Sequence, residues 1–438
     1  MKYVYTLAFG IIFIFNSCIE APNQFSKLPP GVWRAVLKLD DKPVSFAKAP
    51  EEVEYKKEFD YNSELPFNFE LIYDSKEEFH IVLINADERI KVKAENIRFG
   101  RDKQTAKDTI IFNFPVYDSY IKGIYEDGII EGNWIVNYKD DYQIPFIAYH
   151  GKDERFFTFG KSASSDLTGT WGVKFEVDTK DEYPAVGEFL QEGNKITGTF
   201  LTETGDYRYL EGSVFENKAF LSCFDGSHAF LFEAKEIESD ILTGVFRSGK
   251  HYTSSWSAKR VEKAELTSPF ELTNVVGKDV LEFSFPNTDN QQVSLNDSKF
   301  DDKIKLVMIM GTWCPNCRDE MNFIKNYFDA NPSSNVELIV VGFERYKDDE
   351  KSMAALKRYK DKMDLDFEVL YGGYASKKLA SEKFPMLNKI ISYPTLLFVD
   401  KQNKIRKIHT GFNGPATSKF EGFKQEFETT LNQLLNEG

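Results

Sequence analysis

Two cysteines separated by two residues, in Trp313-Cys314-Pro315-Asn316-Cys317, are the residues of this 438-residue chain whose types and spacing most directly permit chemistry. They follow a continuous apolar run, Leu306-Val307-Met308-Ile309-Met310, and open a stretch of helical periodicity. A thiol at a helix N-terminus faces unpaired backbone N–H groups and the positive end of the dipole, which favour thiolate and lower its pKa. Cys314 is therefore expected to be the nucleophile. One helical turn on, Cys317 is placed to form an internal disulfide and release a substrate caught as a mixed disulfide, so it is expected to be the resolving thiol. A Cys-x-x-Cys pair is also half of many zinc sites, but those need two more ligands at matching spacing. The other cysteines are Cys18 and Cys223, and His80, His150, His228, His251 and His409 are scattered. No metal and no bound cofactor is expected.

The elements around this pair alternate between strand and helix. The apolar run before it suits a strand buried on both faces, and Arg318 to Ala330 reads as an amphipathic helix with Met321, Ile324, Tyr327 and Phe328 on one side. Val336 to Val341 is the next buried strand and Lys351 to Met363 the next helix. Thr395-Leu396-Leu397-Phe398-Val399 and Ile405-Arg406-Lys407-Ile408 read as paired strands across the turn Asp400 to Lys404, before a closing helix from about Lys419 to Asn436. Tyr393-Pro394 stands directly before the later strand. An X-Pro bond there can be cis, and a residue without an N–H leaves neighbouring backbone free to pair with an extended substrate chain.

Taken together, residues 275–438 resemble the thioredoxin superfamily, in particular the TlpA/ResA-like extracytoplasmic disulfide reductases. The likeness includes Leu281-Glu282-Phe283-Ser284-Phe285-Pro286 with Val293-Ser294-Leu295, similar to the hairpin that family carries before its first core strand. It also includes His409-Thr410-Gly411-Phe412, similar to its closing strand and glycine. The resemblance implies an α/β thioredoxin fold in which Pro394 is cis and packs against the Cys pair, with Trp313 and Pro394 as supporting residues. It further implies that Glu320, a carboxylate soon after Cys317, tunes the thiols; an ordinary exposed first-turn Glu is the competing reading. The buried Asp of thioredoxins themselves is replaced here by Met308. The function implied is reduction of disulfides in exported proteins, without a bound cofactor, fed by a membrane thiol–disulfide electron donor. An oxidase or isomerase on the same fold is one alternative, and a redox-gated binding module without turnover is another.

From Phe25 to Lys259 the chain is different: short strands of alternating polarity, broken by Gly, Asn and Asp turns, with almost no helical periodicity. An aliphatic-x-Gly-x-aromatic pattern recurs at Gly123, Gly132, Gly169, Gly198 and Gly244. Residues i, i+2 and i+4 of a strand share a face, so the three point inward together on a curved meander or barrel. Such a face either packs a core or lines a ligand cavity, and packing is the expectation. Gly31-Val32-Trp33 and Gly169-Thr170-Trp171 open similar runs, which predicts two tandem all-β units, 25–155 and 166–260, ahead of the thioredoxin-like domain at 275–438. A charged link, Lys259 to Glu265, separates them from it. Cys223 lies in an alternating strand and is expected to be a buried, unreactive residue.

The ends and the overall charge bear on location. Residues 1–17 read as a signal peptide, with Lys2 ahead of an apolar Tyr3 to Phe15. Phe15-Asn16-Ser17-Cys18 resembles the lipobox of bacterial lipoproteins, which makes Cys18 the expected lipidation site. No later window reaches the roughly 18 apolar residues of a membrane-spanning helix. A net charge of −14 argues against nucleic-acid partners. The expectation is a periplasm-facing protein of the cell envelope, lipid-anchored to the membrane, with protein thiols and disulfides as substrates.

Overall fold

In this computed structural model residues 27–39, 63–158 and 160–437 are described. The expected signal peptide and Cys18 lie outside them. The first part of the chain forms an antiparallel sheet in the order Glu88–Val92, Phe79–Asn85, Glu64–Tyr73, Gly31–Lys38, Gln143–His150, Ile129–Val136, Ser119–Glu126, Asp108–Phe114 and Ile97–Arg101. The second part runs Tyr183–Glu192, Gly169–Phe175, Tyr252–Val261, Ile241–Ser248, Ala229–Glu238, Lys218–Phe224, Leu210–Phe215 and Lys195–Thr202. The last of these pairs back onto the first, closing a barrel without free edges. A short strand, Gly205–Asp206, pairs onto Lys195–Thr202 at one end.

The two β units open alike. Gly31 and Gly169 both have positive φ, and the indole N–H of Trp33 and Trp171 donates to a carbonyl four residues earlier, Pro29 at 3.2 Å and Leu167 at 3.0 Å. They close differently. The first sheet is open, and Phe215, Phe220, Phe224, Ala229 and Leu231 of the second unit complete its core. Arg155 fastens this contact: its buried guanidinium donates to Ile84 O, Asn85 Oδ1 and Ser222 O at 2.7, 3.0 and 2.9 Å. Buried charge tolerated in this way needs every donor satisfied.

Inside the barrel, Phe200, Phe232 and Phe246 stack at centroid separations of 4.6 and 4.3 Å, so these aromatic residues pack its core. The glycines of the recurring pattern are what let those rings and neighbouring backbone approach. A Cβ on Gly244 would run into the Glu233 carbonyl and the Trp256 ring.

The charged link begins later than its composition implies. The strand Tyr252–Val261 continues through Lys259 and Arg260, with Ala258 facing inward and the Arg260 guanidinium 4.4 Å over the Trp171 ring. Charges on the outer face of a barrel strand and charges in a linker read alike in sequence.

The C-terminal domain is a mixed sheet in the order Glu368–Tyr374, Val336–Glu344, Ile304–Met310, Thr395–Val399, Ile405–Thr410. Its first three strands are mutually parallel and the last two pair antiparallel. Every residue of Ile304–Met310 is buried, as a strand covered on both faces requires. Helices Pro315–Ala330, Asp349–Met363 and Phe420–Asn436 contribute to the core on one face. The hairpin Ser284–Pro286/Gln292–Ser294 and the short helix Lys377–Lys383 cover the other. This is a thioredoxin-like α/β domain behind a strand-rich N-terminal region. The first helix begins at Pro315 rather than Arg318 because Cys314 caps it, a contact that helical periodicity does not reveal.

Gly244→Ala is expected to destabilise the barrel by about 1–3 kcal/mol through overpacking. By contrast Gly422→Ala, on an exposed helix position with open space around it, is expected to leave stability unchanged or raise it by about 0.5–1 kcal/mol. Urea unfolding curves of the two variants check this, and equal midpoints would remove the packing argument.

Candidate active site

The central strand delivers the chain through Gly311 and Thr312 to Trp313 and Cys314. Cys314 is the N-cap of the helix, in extended backbone conformation, and Pro315 occupies the first turn, where its missing N–H leaves nothing unsatisfied. The Cys317 backbone N–H donates to Cys314 Sγ at 3.4 Å. Opposite, Cys314 Sγ lies 3.4 Å from the carbonyl of Tyr393, and the Tyr393–Pro394 bond is cis. Both cysteines are free thiols; Cys314 retains 8% exposure and Cys317 none.

The two thiols are pushed in opposite directions. Burial raises the Cys314 pKa, but hydrogen bonds from the Cys317 side chain and backbone and the charge of Arg345 more than offset it, leaving Cys314 below the ordinary thiol value. Cys317 is held well above that value by burial and by the neighbouring Cys314. The outer sulfur is therefore the more readily ionised of the two.

Trp313 braces the motif. Its indole N–H donates to Phe343 O at 3.0 Å, its ring meets Tyr393 edge-on at 5.7 Å, and Arg345 stacks on its face at 3.7 Å. Glu320 is not an exposed first-turn residue: it is completely buried, and neither carboxyl oxygen has a hydrogen-bond partner among the described residues. Burial, with Cys314 adding to it, holds its carboxyl well above the usual range. Met308 is buried in the central strand. Cys223 is fully buried and its thiol is pushed well up.

Sequence reasoning missed Glu344. It ends the strand Val336–Glu344, and its carboxylate accepts from Thr312 N at 2.9 Å and Thr312 Oγ1 at 2.8 Å, holding the loop that leads into the motif. Burial pushes it up to about 7 against the opposing effect of the Thr312 bonds and of Arg358 and Arg345. The signal was there: a carboxylate closing an otherwise apolar run, Val340-Val341-Gly342-Phe343-Glu344.

The β units also reach the site, which no local pattern announces. Ser227 Oγ donates to Trp313 O at 2.9 Å, Ser392 Oγ to Thr204 O at 2.8 Å, and Asn316 Nδ2 to Asp206 O at 3.2 Å. Gly411, at φ +78°, lies so close to Thr204 that a Cβ would meet its backbone. Arg208, 4% exposed, pairs with Glu88 of the first unit, Asp225 of the second and Asp319 of the Cys helix. Arg318 donates to Tyr117 OH at 3.2 Å. Segment 203–208 thus lies against Ser392, Asn316 and Gly411, on the face that carries Cys314.

Residues 276–408 match the AhpC/TSA family. No curated protein sequence matches the chain. Among solved structures, a thiol:disulfide interchange protein of the thioredoxin family from Chlorobium tepidum is similar at 16% identity, covering 37% of this chain and 99% of that one, with a TM-score of 0.28. A thiol-disulfide oxidoreductase from Bacteroides fragilis is similar at 17% identity, covering 34% and 99%, with a TM-score of 0.25. The thioredoxin domain of a thiol-disulfide oxidoreductase from Bacteroides vulgatus is similar at 18%, covering 35% and 98%, with a TM-score of 0.27. Among the described residues no group of His, Cys, Asp and Glu is arranged to hold a metal ion, and no helix is long and apolar enough to cross a membrane.

The Glu344 environment has a pH signature. A carboxyl raised from 4.5 to about 7 binds its proton more tightly in the folded state, so its contribution to stability is complete below about pH 4.5 and is lost as pH rises through about 7. Ionising it in place costs on the order of 3 kcal/mol. Glu344→Gln keeps the Thr312 contacts without the charge, so the variant is expected to gain stability relative to wild type as pH rises from about 5 to about 8. Melting temperatures of both across that range test it; a constant difference would contradict the assignment.

Proposed function

We propose that this protein is an extracytoplasmic thiol–disulfide oxidoreductase that reduces disulfides in exported proteins. The observation that carries the reading is Cys314 itself: a capping thiol of lowered pKa, one turn from a buried thiol of raised pKa and within 3.4 Å of the Tyr393 carbonyl beside Pro394. In the forward direction the Cys314 thiolate attacks one sulfur of a substrate disulfide, forming a mixed disulfide and releasing the other sulfur as thiolate, which takes a proton. Cys317 then loses its proton and attacks Cys314 Sγ, releasing the second substrate thiol and leaving a Cys314–Cys317 disulfide. The substrate has gained two electrons and the protein has lost two. A membrane dithiol donor returns them, and a lipid on Cys18 would hold the domain at the periplasm-facing membrane surface where that donor works. Trp313, Glu320 and Glu344 are positioning residues in this scheme, setting the loop and the electrostatics of the pair.

A second reading is supported by the contacts from the β units. With Thr204, Asp206 and Ser227 bonded to Ser392, Asn316 and Trp313, the oxidation state of the pair can bias how the β units sit, which is the behaviour of a redox-gated binding module.

Turnover and direction are separately measurable. Cys314→Ser is expected to abolish insulin reduction, while Cys317→Ser accumulates a mixed disulfide that thiol reductant dissolves. Absence of insulin reduction by the wild-type chain would sink the enzyme reading in favour of the binding module. Equilibration against glutathione is expected to give a potential below about −200 mV; a value near the −120 mV or so of strong periplasmic oxidants would reverse the direction.

A further inference from the structure

A cavity of about 360 Å³ lies where all three parts of the chain meet. The first unit contributes Trp134, Tyr138, Lys139 and Tyr142, and the barrel contributes its end, including Tyr207, His228, His251 and Tyr252. The thioredoxin-like domain contributes Trp313 and Arg345. Phe230 and Phe246 of the barrel core also line the cavity. The size falls within the range of small-molecule sites, and aromatic walls with a few polar groups are typical of them.

Charge defines what fits. No carboxylate lines the cavity, although the chain carries 69 Asp and Glu against 55 Lys and Arg. Lys139 and Arg345 both line it, and neither forms an ion pair with a carboxylate among the described residues. Lys139 lies over the Tyr142 ring at 4.2 Å, and Arg345 is stacked between the rings of Trp313 and Tyr138 at 3.7 and 5.7 Å. Three carboxylates close to lining residues are engaged elsewhere. Asp225 sits behind His228 and pairs with Arg208, Glu176 accepts from Tyr252 OH at 2.5 Å, and Glu344 holds Thr312. Burial first, and then the proximity of Arg345, push the Lys139 ammonium down to about 8. The indole N–H of Trp134 is buried without an acceptor among the described residues. An anion with a flat apolar body answers all of these at once: its charge neutralises the two cations, its oxygens accept hydrogen bonds, and its body stacks on the rings.

We propose that this junction cavity is a binding site for a small carboxylate-bearing ligand with an aromatic body, seated between Lys139 and Arg345 beside Trp313. Neither thiol lines the site, so it stands apart from the oxidoreductase reading, although it shares Trp313 and Arg345 with the surroundings of Cys314. Charge recognition comes from the Lys139 and Arg345 pair, and shape recognition from Tyr142, Tyr207, Tyr252 and Trp313.

The test is calorimetric titration of the full reduced chain with N-acetyl-phenylalanine and, separately, with its neutral amide. The acid is expected to bind at least about tenfold more tightly than the amide and to weaken with added salt. Lys139→Met, on a half-exposed loop, is expected to weaken the acid about fivefold or more and to leave the amide unchanged. Arg345→Met is the second variant should the first disturb folding, which circular dichroism reports. Equal affinity for acid and amide, loss of both together in a folded Lys139→Met chain, or no binding of either probe up to its solubility limit would each overturn the site. Insulin reduction by the unliganded wild-type chain reports on the oxidoreductase reading separately from ligand binding, so one can fail while the other stands.

Discussion

A single weak contact, the Cys317 amide donating to Cys314 Sγ at the head of a helix, organises the chemistry of this molecule. It does two things at once. As a cap it satisfies one of the orphan N–H groups of Pro315–Ala330, and as an electrostatic contact it favours negative charge on sulfur. The same burial that raises the intrinsic cost of a thiolate also removes water that would screen the helix end and Arg345, so the favourable contacts prevail at Cys314. Cys317 has the burial without the compensation, and its thiol moves the other way. The asymmetry of the pair is a consequence of where the helix begins.

Holding that arrangement under a lid of β structure demands a strong joint, and Arg208 supplies it. A guanidinium with 4% exposure would be prohibitive alone. Here it meets three carboxylates drawn from three parts of the chain, Glu88, Asp225 and Asp319. Burial tends to raise Asp225, yet His228 and Arg208 hold its carboxyl down to about 2, whereas burial raises Glu88 against the opposing effect of Arg208. Removing one partner of such a network leaves the others buried without compensation, which typically costs about 3–5 kcal/mol. The joint thus couples the position of both β units to the Cys helix through Asp319.

What could be read from sequence was what is local. The Cys pair, the apolar strand before it, the strand pair around Asp400 to Lys404 and the proline at 394 are all short-range patterns, and each falls in the domain where the spacing put it. The alternating β segments were equally visible, down to the paired Gly-x-Trp openings at Gly31 and Gly169. How the sheets close was not, because open and closed sheets share the same alternation, and closure of the barrel depends on Gly169–Phe175 finding Tyr252–Val261 across the whole unit. The burial of Glu320 was hidden because a Glu in a first helical turn is ordinarily solvated. Arg208, Thr204 and Asp206 carried no signal whatever: each is an unremarkable polar residue in a turn until the tertiary fold sets it against Asn316, Asp319 or Ser392.

Those nonlocal contacts govern access. The carbonyl of Thr204 already occupies Ser392 Oγ, next to Pro394, and Gly411 is closed to any side chain by the Thr204 backbone. Under the proposed function, an extended substrate strand pairing along this edge would compete with segment 203–208 for the same groups. That competition has a definite cost, because 203–208 is tied through Arg208 to both units and to the Cys helix, so displacing it also strains the Asp319 ion pair. Reactivity and access draw on the same contacts: loosening the lid to admit a substrate lets in the water that burial excludes, and with it weakens the electrostatics that make Cys314 the reactive sulfur.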